Sequence, residues 1–359
     1  MGNYRHVNIL NNSTITTAGT TTKDITLKDT ISRLSFKWNI TAHSSTEAMV
    51  GHPAAAVTKI EITDGSDVLT SIDGREAMAF NYYDRHEVPF SYINQVTNTD
   101  SYFNTDIDFG RWLWDEELAL DPTRFDNLQF KITYDKSKMA ANAAAMYVTV
   151  MAECFDEKSI SPSGFLDREE HKTWTPASST TEYITLPTDQ KIRGILARGY
   201  ATDGNVRKQI HDIKLTEDHD KHVIMDTDMR SYLSYQFGTL PLITERFIHV
   251  GATTPLQYYV MPSYEVGYLG ISTAAGDVFA STIAGAGVKV DVETAASRVE
   301  GYVHGYIPHH SIYLDLGEKN DIGDWWGPKT GSDLELQTTA GTVGTSPVGY
   351  VCLEQMRNY

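Results

Sequence analysis

The sequence predicts an all-β protein made of two antiparallel sandwiches in tandem, eight short strands to each, with few helices. Three observations predict it. Apolar residues alternate with polar ones over short runs, as in Leu34, Phe36, Trp38 and Ile40, the period-two signature of a half-buried strand. No helical pattern recurs between those runs, which argues against βαβ units and a parallel sheet. The runs are also written twice, and self-similarity decides the architecture before any single element does.

In the first half the runs fall at Asp24–Leu27, Ile31–Thr41, Val57–Thr63, Val68–Ile72, Pro89–Asn94, Phe103–Phe109, Leu128–Tyr134 and Met146–Phe155. Asp64-Gly65 marks a turn. Asp73 is placed to cap a helix over Gly74–Arg85, where Met78, Tyr82 and Arg85 share a face. The second half repeats the order. Thr21–Leu27 returns as Thr180–Leu186, Ile60-Glu61-Ile62-Thr63 as Ile213-Lys214-Leu215-Thr216, and Asp73 and Tyr82 as Asp226 and Tyr235. Ile107-Asp108-Phe109-Gly110 returns as Leu314-Asp315-Leu316-Gly317, Pro122 as Pro328, and Leu128–Lys131 as Leu334–Gln337. The offset jumps once, from 153 to 207, so the second copy carries an insertion after its helix.

These echoes divide the chain into an N-terminal arm (1–22), a first jelly roll (23–158), a linker rich in Ser, Pro and charge (159–180), and a second jelly roll (181–359) with an insertion at 240–297. The insertion is rich in Gly, Ala, Thr and Tyr and contains the run TAAGDVFASTIAGAG. Eight antiparallel strands, twice, are what a double jelly roll requires.

Composition narrows the function. A net charge of −17 argues against a surface that neutralises nucleic-acid phosphates. Two cysteines, Cys154 and Cys352, make no disulfide framework. The N-terminal residues lack a signal-peptide apolar core, position 6 is His6 where a myristoylation signal has Ser or Thr, and no apolar run spans a bilayer. Synthesis in a cytoplasm follows as the expectation.

Catalytic and metal constellations are weak. A cupin-like metal site needs His-x-His on one strand. His309 and His310 are adjacent, so on a strand they face opposite ways, and the first copy has Thr105 and Asp106 where the second has histidines. His304 and Glu318 add nothing to that geometry. His211, Asp212, Asp218, His219, Asp220 and His222 read as a solvated edge. Asp115-Glu116-Glu117 and Glu169-Glu170-His171 offer carboxylates, but glycoside hydrolysis needs two acids flanking a cleft. Gly285-Ala286-Gly287 lacks the strand–turn–helix setting of a phosphate loop. No cofactor is expected.

The tryptophans Trp112, Trp114, Trp325 and Trp326 follow the echoed strand in each copy. Such side chains suit stacking on sugars, or filling gaps between two sandwiches or between subunits. Packing is the favoured role, and the four are assigned as subunit-contact residues.

With Asp121–Asp135 (DPTRFDNLQFKITYD), the duplicated strand order, the helix after the fourth strand of each half and the long excursion in the second, the chain resembles the double jelly-roll major capsid proteins of tailless icosahedral viruses, the tectivirus and adenovirus lineage, most of all those of small tailless bacteriophages. The resemblance implies a non-catalytic structural protein. It implies homotrimers of pseudo-hexagonal outline tiling an icosahedral virion shell, with penton or minor capsid proteins as partners, often over an internal membrane. The insertion would form an outer tower and residues 1–22 would reach inward or to a neighbour. The alternative is a carbohydrate-binding or carbohydrate-active β-sandwich using the Trp loops and the acids around Asp115.

Overall fold

A computed structural model describes residues 3–15, 17–42, 49–140, 143–249, 256–272, 279–284, 289–294, 299–327 and 333–359. The elements run β1 (Tyr4–Ile15), β2 (Ala18–Asp24), β3 (Ile31–Thr41), β4 (Val57–Asp64), β5 (Asp67–Ile72), α1 (Gly74–Arg85), β6 (Ser91–Gln95), β7 (Asp100–Asp108), β8 (Leu128–Asp135) and β9 (Ala145–Phe155). Then come β10 (Gly164–Trp174), β11 (Thr181–Leu186), β12 (Lys191–Tyr200), the single turn α2 (Val206–Gln209), β13 (Asp212–Glu217), β14 (His222–Asp228) and α3 (Met229–Gln236). The chain continues through β15 (Ile243–His249), β16 (Leu256–Tyr259), β17 (Pro262–Ser272), β18 (Phe279–Ala284), β19 (Lys289–Thr294), β20 (Val299–Pro308), β21 (Ser311–Asp315), β22 (Leu334–Thr339) and β23 (Val348–Asn358).

The two halves are wired alike. In the first, the neighbours are β1-β9-β3-β7 in one sheet and β2-β8-β4-β5 in the other; in the second they are β10-β23-β12-β21 and β11-β22-β13-β14. Each set is an eight-stranded jelly roll. Alternation makes the cores: β8 alternates buried and half-buried residues along its length, and Phe36 of β3 meets Phe130 of β8 edge-on at 5.9 Å across the first sandwich. The second core gathers Ile195, Leu215, Leu314, Leu336 and Leu353 from the matching strands.

Two large sheets cross from one half to the other. Strand β5 lies beside β10, with Ser71 opposite Glu169, and β6 lies beside β15, with Tyr92 through Gln95 opposite Arg246 through His249. Both junctions are parallel, whereas every other strand pairing described is antiparallel. Parallel pairing at these two points lets one half continue the other's sheet without a hairpin.

Three expectations change. Residues 4–15, read as an arm, form β1, which pairs with β9 along its length. Its polar sequence masked it because an edge strand with little buried surface need not alternate. The segment 159–180, read as a linker, contains β10, which pairs with β23 from Gly164 to Trp174. Its charged run broke the pattern because Asp167 and Arg168 are both buried. β1 and β10 are each other's counterparts, so the repeat extends into segments that carried no visible echo. Third, α3, the counterpart of α1, is capped by Asp228, whose carboxylate accepts from the Ser231 amide at 3.0 Å; Asp226 lies within β14 opposite Lys214.

The insertion begins as β15, and β15-β20-β17 extend a sheet of the first half. They face the small sheet β16-β19-β18, where Phe247 stacks on Tyr258 at 5.4 Å. Most of TAAGDVFASTIAGAG, including Gly285-Ala286-Gly287, lies outside the described residues, as does Pro328.

Candidate functional site: a buried ionic seam

Helix α1 is the shaft on which the halves meet. Its residues from Glu76 to Tyr83 are buried, and a helix buried on all sides lies inside a fold and not on its surface. Tyr82 donates to the Pro241 carbonyl at 2.6 Å and Tyr83 to the Ser311 carbonyl at 2.8 Å, so the helix grips the second half through two hydroxyls. Gly74 is required at its start, because a Cβ there would stand 2.7 Å from the Ala54 carbonyl oxygen and 2.9 Å from the Val57 Cβ.

At the end of α1, Asp84 meets two arginines. Arg168 on β10 donates to Asp84 Oδ2 at 2.7 Å, to Glu354 Oε1 at 2.8 Å and to the Asp108 carbonyl at 2.8 Å. Arg193 on β12 donates to Asp84 Oδ1 at 2.9 Å and to Glu354 Oε2 at 3.0 Å. Tyr313 completes Glu354 with its hydroxyl at 2.5 Å. Two arginines against two carboxylates balance the formal charge. Burial pushes the Asp84 carboxyl upward, but Arg193 and Arg168 outweigh it and hold it below the usual carboxylate range. A satellite extends the network: Arg85 donates to Asp106 at 2.7 Å and to Asp108 at 2.6 Å, and Arg33 also pairs with Asp108.

At the start of α1, Asp73 caps the helix and shares a capping box with Glu76. Arg198 of β12 reaches across to it, with Nη1 at 3.0 and 2.8 Å from the two Asp73 oxygens and Nη2 3.1 Å from Glu76. Burial opposes the Asp73 charge, yet Arg198 and Arg75 pull its carboxyl well down. Burial and the neighbouring Asp73 charge push Glu76 up to about 7. A third contact joins His52 to Glu245 of β15 at 2.8 Å. The Ala54 amide donates to His52 Nδ1 at 3.0 Å, which places the ring proton on Nε2, facing Glu245. Glu245 also accepts from Ser91 and from the Met261 amide.

Buried ion pairs of this kind gain little over a well-packed apolar contact, but removing one partner costs about 3–5 kcal/mol. Their effect here is to fix one relative placement of the two jelly rolls.

The sequence-assigned residues fall in different places. Trp112 is 47% exposed and lies under the Arg111 guanidinium at 4.4 Å. Trp114 stacks on Tyr4 of β1 at 4.1 Å. Trp325 and Trp326 are buried within the chain, and this corrects their assignment as subunit contacts: they have almost no surface left to give to a partner. Trp325 packs with Leu118, Leu166 and Met356 between the halves, and Trp326 joins the second core.

The acids around Asp115 hold their own loop. Asp115 accepts from Arg111 at 2.7 and 3.0 Å and from the Glu117 amide at 3.0 Å, while Glu116 pairs with Lys158. Gly110 lies against this carboxylate, where a Cβ would meet the Leu118 carbonyl at 2.5 Å. His309 and His310 occupy the buried turn before β21, while Glu318 stands away on an exposed loop. His211 pairs with Asp212, Asp220 with Lys214 and His222 with Glu217. Among the described residues no three His, Cys, Asp or Glu side chains are grouped to hold a metal ion.

The seam residues were missed by sequence reasoning. The available signal was charge inside apolar strands: Arg193 and Arg198 in KIRGILARGY, and Glu354 in VCLEQM.

No protein-family profile and no curated protein matches the chain. Solved structures do. The STIV MCP superposes with a TM-score of 0.66 at 11% identity, over 99% of this chain and 97% of that one. The major capsid protein from bacteriophage PM2 gives 0.57 at 11% identity, over 99% and 98%. The PBCV-1 virus capsid gives 0.55 at 10% identity, over 98% and 93%. The chain has the double jelly-roll fold of these capsid proteins. At such identities the likeness is one of fold, and it spans nearly the whole of this chain.

Proposed function

We propose that this double jelly roll is a major capsid protein, a structural subunit of a virion shell, with no reaction to perform. The observation that carries the reading is end-to-end superposition on capsid subunits, near-complete for both chains in each pair. The seam supports it. A shell subunit must present fixed surfaces, and three buried contacts between the halves hold them in one arrangement. Edge strand β1 supports it too, because its pairing with β9 breaks register twice, between Asn8 and Leu10 and between Leu10 and Ser13. Such breaks discourage uncontrolled edge pairing.

In the finer reading, three copies associate as a homotrimer whose six jelly rolls approximate a hexagon and tile an icosahedral lattice, since closed symmetry makes each interface match its neighbour. Penton or minor capsid proteins fill the remaining positions, and synthesis takes place in the host cytoplasm. Exposed Trp112, with Trp114 beside it, is the part of the tryptophan set that subunit contacts would use. Light scattering on the purified protein tests this. The expected mass is three times 40.1 kDa, or a larger assembly. A monomer that persists at high concentration overturns it.

A further inference from the structure

Inside the chain, the outer edge of β5 lies parallel to β10, with Ser71 opposite Glu169. The counterpart of β5 in the second jelly roll is β14, and the counterpart of β10 in the first is β1. Both β14 and β1 end their sheets, and among the described residues no strand lies against the outer edge of either. An open edge carries a row of unbonded amides and carbonyls that can take another strand.

Bulges fix the correspondence residue by residue. Leu69 is the extra residue where β5 faces β4, and Ile224 is the extra residue where β14 faces β13. His171 plays that part where β10 faces β23, and Ile9 where β1 faces β9. Bulges set the local register of a strand, so each copy can be counted from its own. Ser71 stands two residues after its bulge, as Asp226 does; Glu169 stands two before its bulge, as Val7 does.

Burial shows what β14 lacks. Leu69, Thr70, Ser71 and Ile72 are all buried, whereas Ile224 is 37% exposed, Val223 46% exposed and Asp226 exposed. On β1, Tyr4–Asn8 is exposed apart from a half-buried Val7. Charge does not oppose a contact between the two: β14 carries Asp226 and Asp228, while Tyr4–Asn8 holds His6, Arg5 anchored on Asp29, and no acid.

We propose that β14 of one copy adds in parallel to β1 of a second copy, with Asp226 opposite Val7 of the partner subunit, repeating between chains the junction that β5 and β10 make within one. The contact joins two different edges, and contacts of that kind close into rings. Three copies then alternate three internal junctions with three between chains. The register break after Asn8 confines the contact to Tyr4–Asn8, and the internal junction is short as well. The inference rests on the reading of the chain as a self-associating shell subunit, and adds which edges meet.

Cysteine cross-linking of the assembled full-length protein tests it. Both native cysteines are buried. Val7→Cys with Asp226→Cys in one chain, treated with a short bismaleimide, is expected to give covalent dimers and trimers on a denaturing gel. Mixing the two single variants is expected to stop at dimers. Val7→Cys with Tyr183→Cys, an exposed position on the open edge strand β11, is expected to stay uncoupled. Should the variants fail to assemble, hydrogen exchange on the unmodified assembly decides. Protection at successive amides is expected over Tyr4–Asn8 and Met225–Asp228, against alternate amides on β11. An assembly of three or more copies that gives no product between positions 7 and 226, or whose two edges exchange as β11 does, overturns the proposal and leaves the shell reading standing. Equal coupling through Tyr183→Cys overturns it as well. A monomer that persists at high concentration overturns the shell reading, and this contact with it.

Discussion

Helices α1 and α3 follow the same strands in the two jelly rolls, and each begins on an aspartate cap, Asp73 and Asp228. Helix α1 has twelve residues and is buried along most of them; α3 has eight, and Tyr235 on it is 77% exposed. Phe80, which stands at the same distance from the Asp73 cap as Tyr235 does from Asp228, is wholly buried. A duplicated element keeps its place and its cap while its environment diverges. Only the copy that meets the other half gathered buried charge: Glu76 and Asp84 lie on α1, and neither has a buried acidic counterpart on α3.

The widest gap between the two helices should come from emptying the network at the end of α1. Arg168→Ala leaves the buried Asp84 and Glu354 to share Arg193 alone, and the expected loss is about 3–5 kcal/mol in urea unfolding. A loss below about 1 kcal/mol would mean that the seam is wet and the contrast with α3 superficial. Trp325→Ala empties apolar space between the halves and should cost about 3–5 kcal/mol by the same measurement, at the lower end if the site collapses.

The two caps come next. Asp73→Ala removes a cap and leaves the buried Arg198 with Glu76 alone, so it should destabilise far more than Asp228→Ala, which loses only an exposed cap. Equal effects would erase the distinction.

The acids also differ in their response to pH. Glu76 has a raised carboxyl, about 7 against an ordinary 4.5, so folding favours its protonated form. Its stabilising contribution is full below about pH 4.5 and is lost as pH rises through 7. Asp228, lowered by its bonds to Ser231, responds the other way, and its small contribution fades as pH falls below 3.8. Glu76→Gln should therefore flatten the stability profile between pH 4.5 and 8 and gain on the parent towards pH 8. A parallel profile would place Glu76 outside the seam's titration. The smallest expected effect is Tyr235→Ser, within about 0.5 kcal/mol by thermal unfolding, because an exposed side chain away from any cap or pair contributes little.

Much of the architecture was legible in the chain. Strands such as β3 and β8 alternate because one face meets the core, and local pattern is enough to find them. The matching order of Ile60–Thr63 with Ile213–Thr216 placed β4 and β13 correctly. The N-terminal and linker segments were misread for a physical reason. Burial on both faces of β10, at Asp167 and Arg168, removes the alternation that identifies a strand, and β1 has little buried face to show. The seam was not legible because its partners are distant: Arg168 and Glu354 are 186 residues apart and Asp84 and Arg193 are 109 apart, with no spacing rule to link them. Trp325 and Trp326 were assigned to subunit contacts and are buried within the chain, because a loop position in sequence does not tell the inside of a chain from its surface.

Strand β10 must wait for β23. It is made 186 residues before Glu354, which at about 5–20 residues per second is roughly 10–40 s of translation. Through that interval one flank of β10 has no neighbour to bond, and the nascent chain carries a sticky ribbon beside a finished first barrel. The run Asp167-Arg168-Glu169-Glu170-His171-Lys172 then acts as a gatekeeper, since dense charge discourages a waiting strand from joining the wrong chain. The same arginine that locks the mature protein belongs to this charged segment.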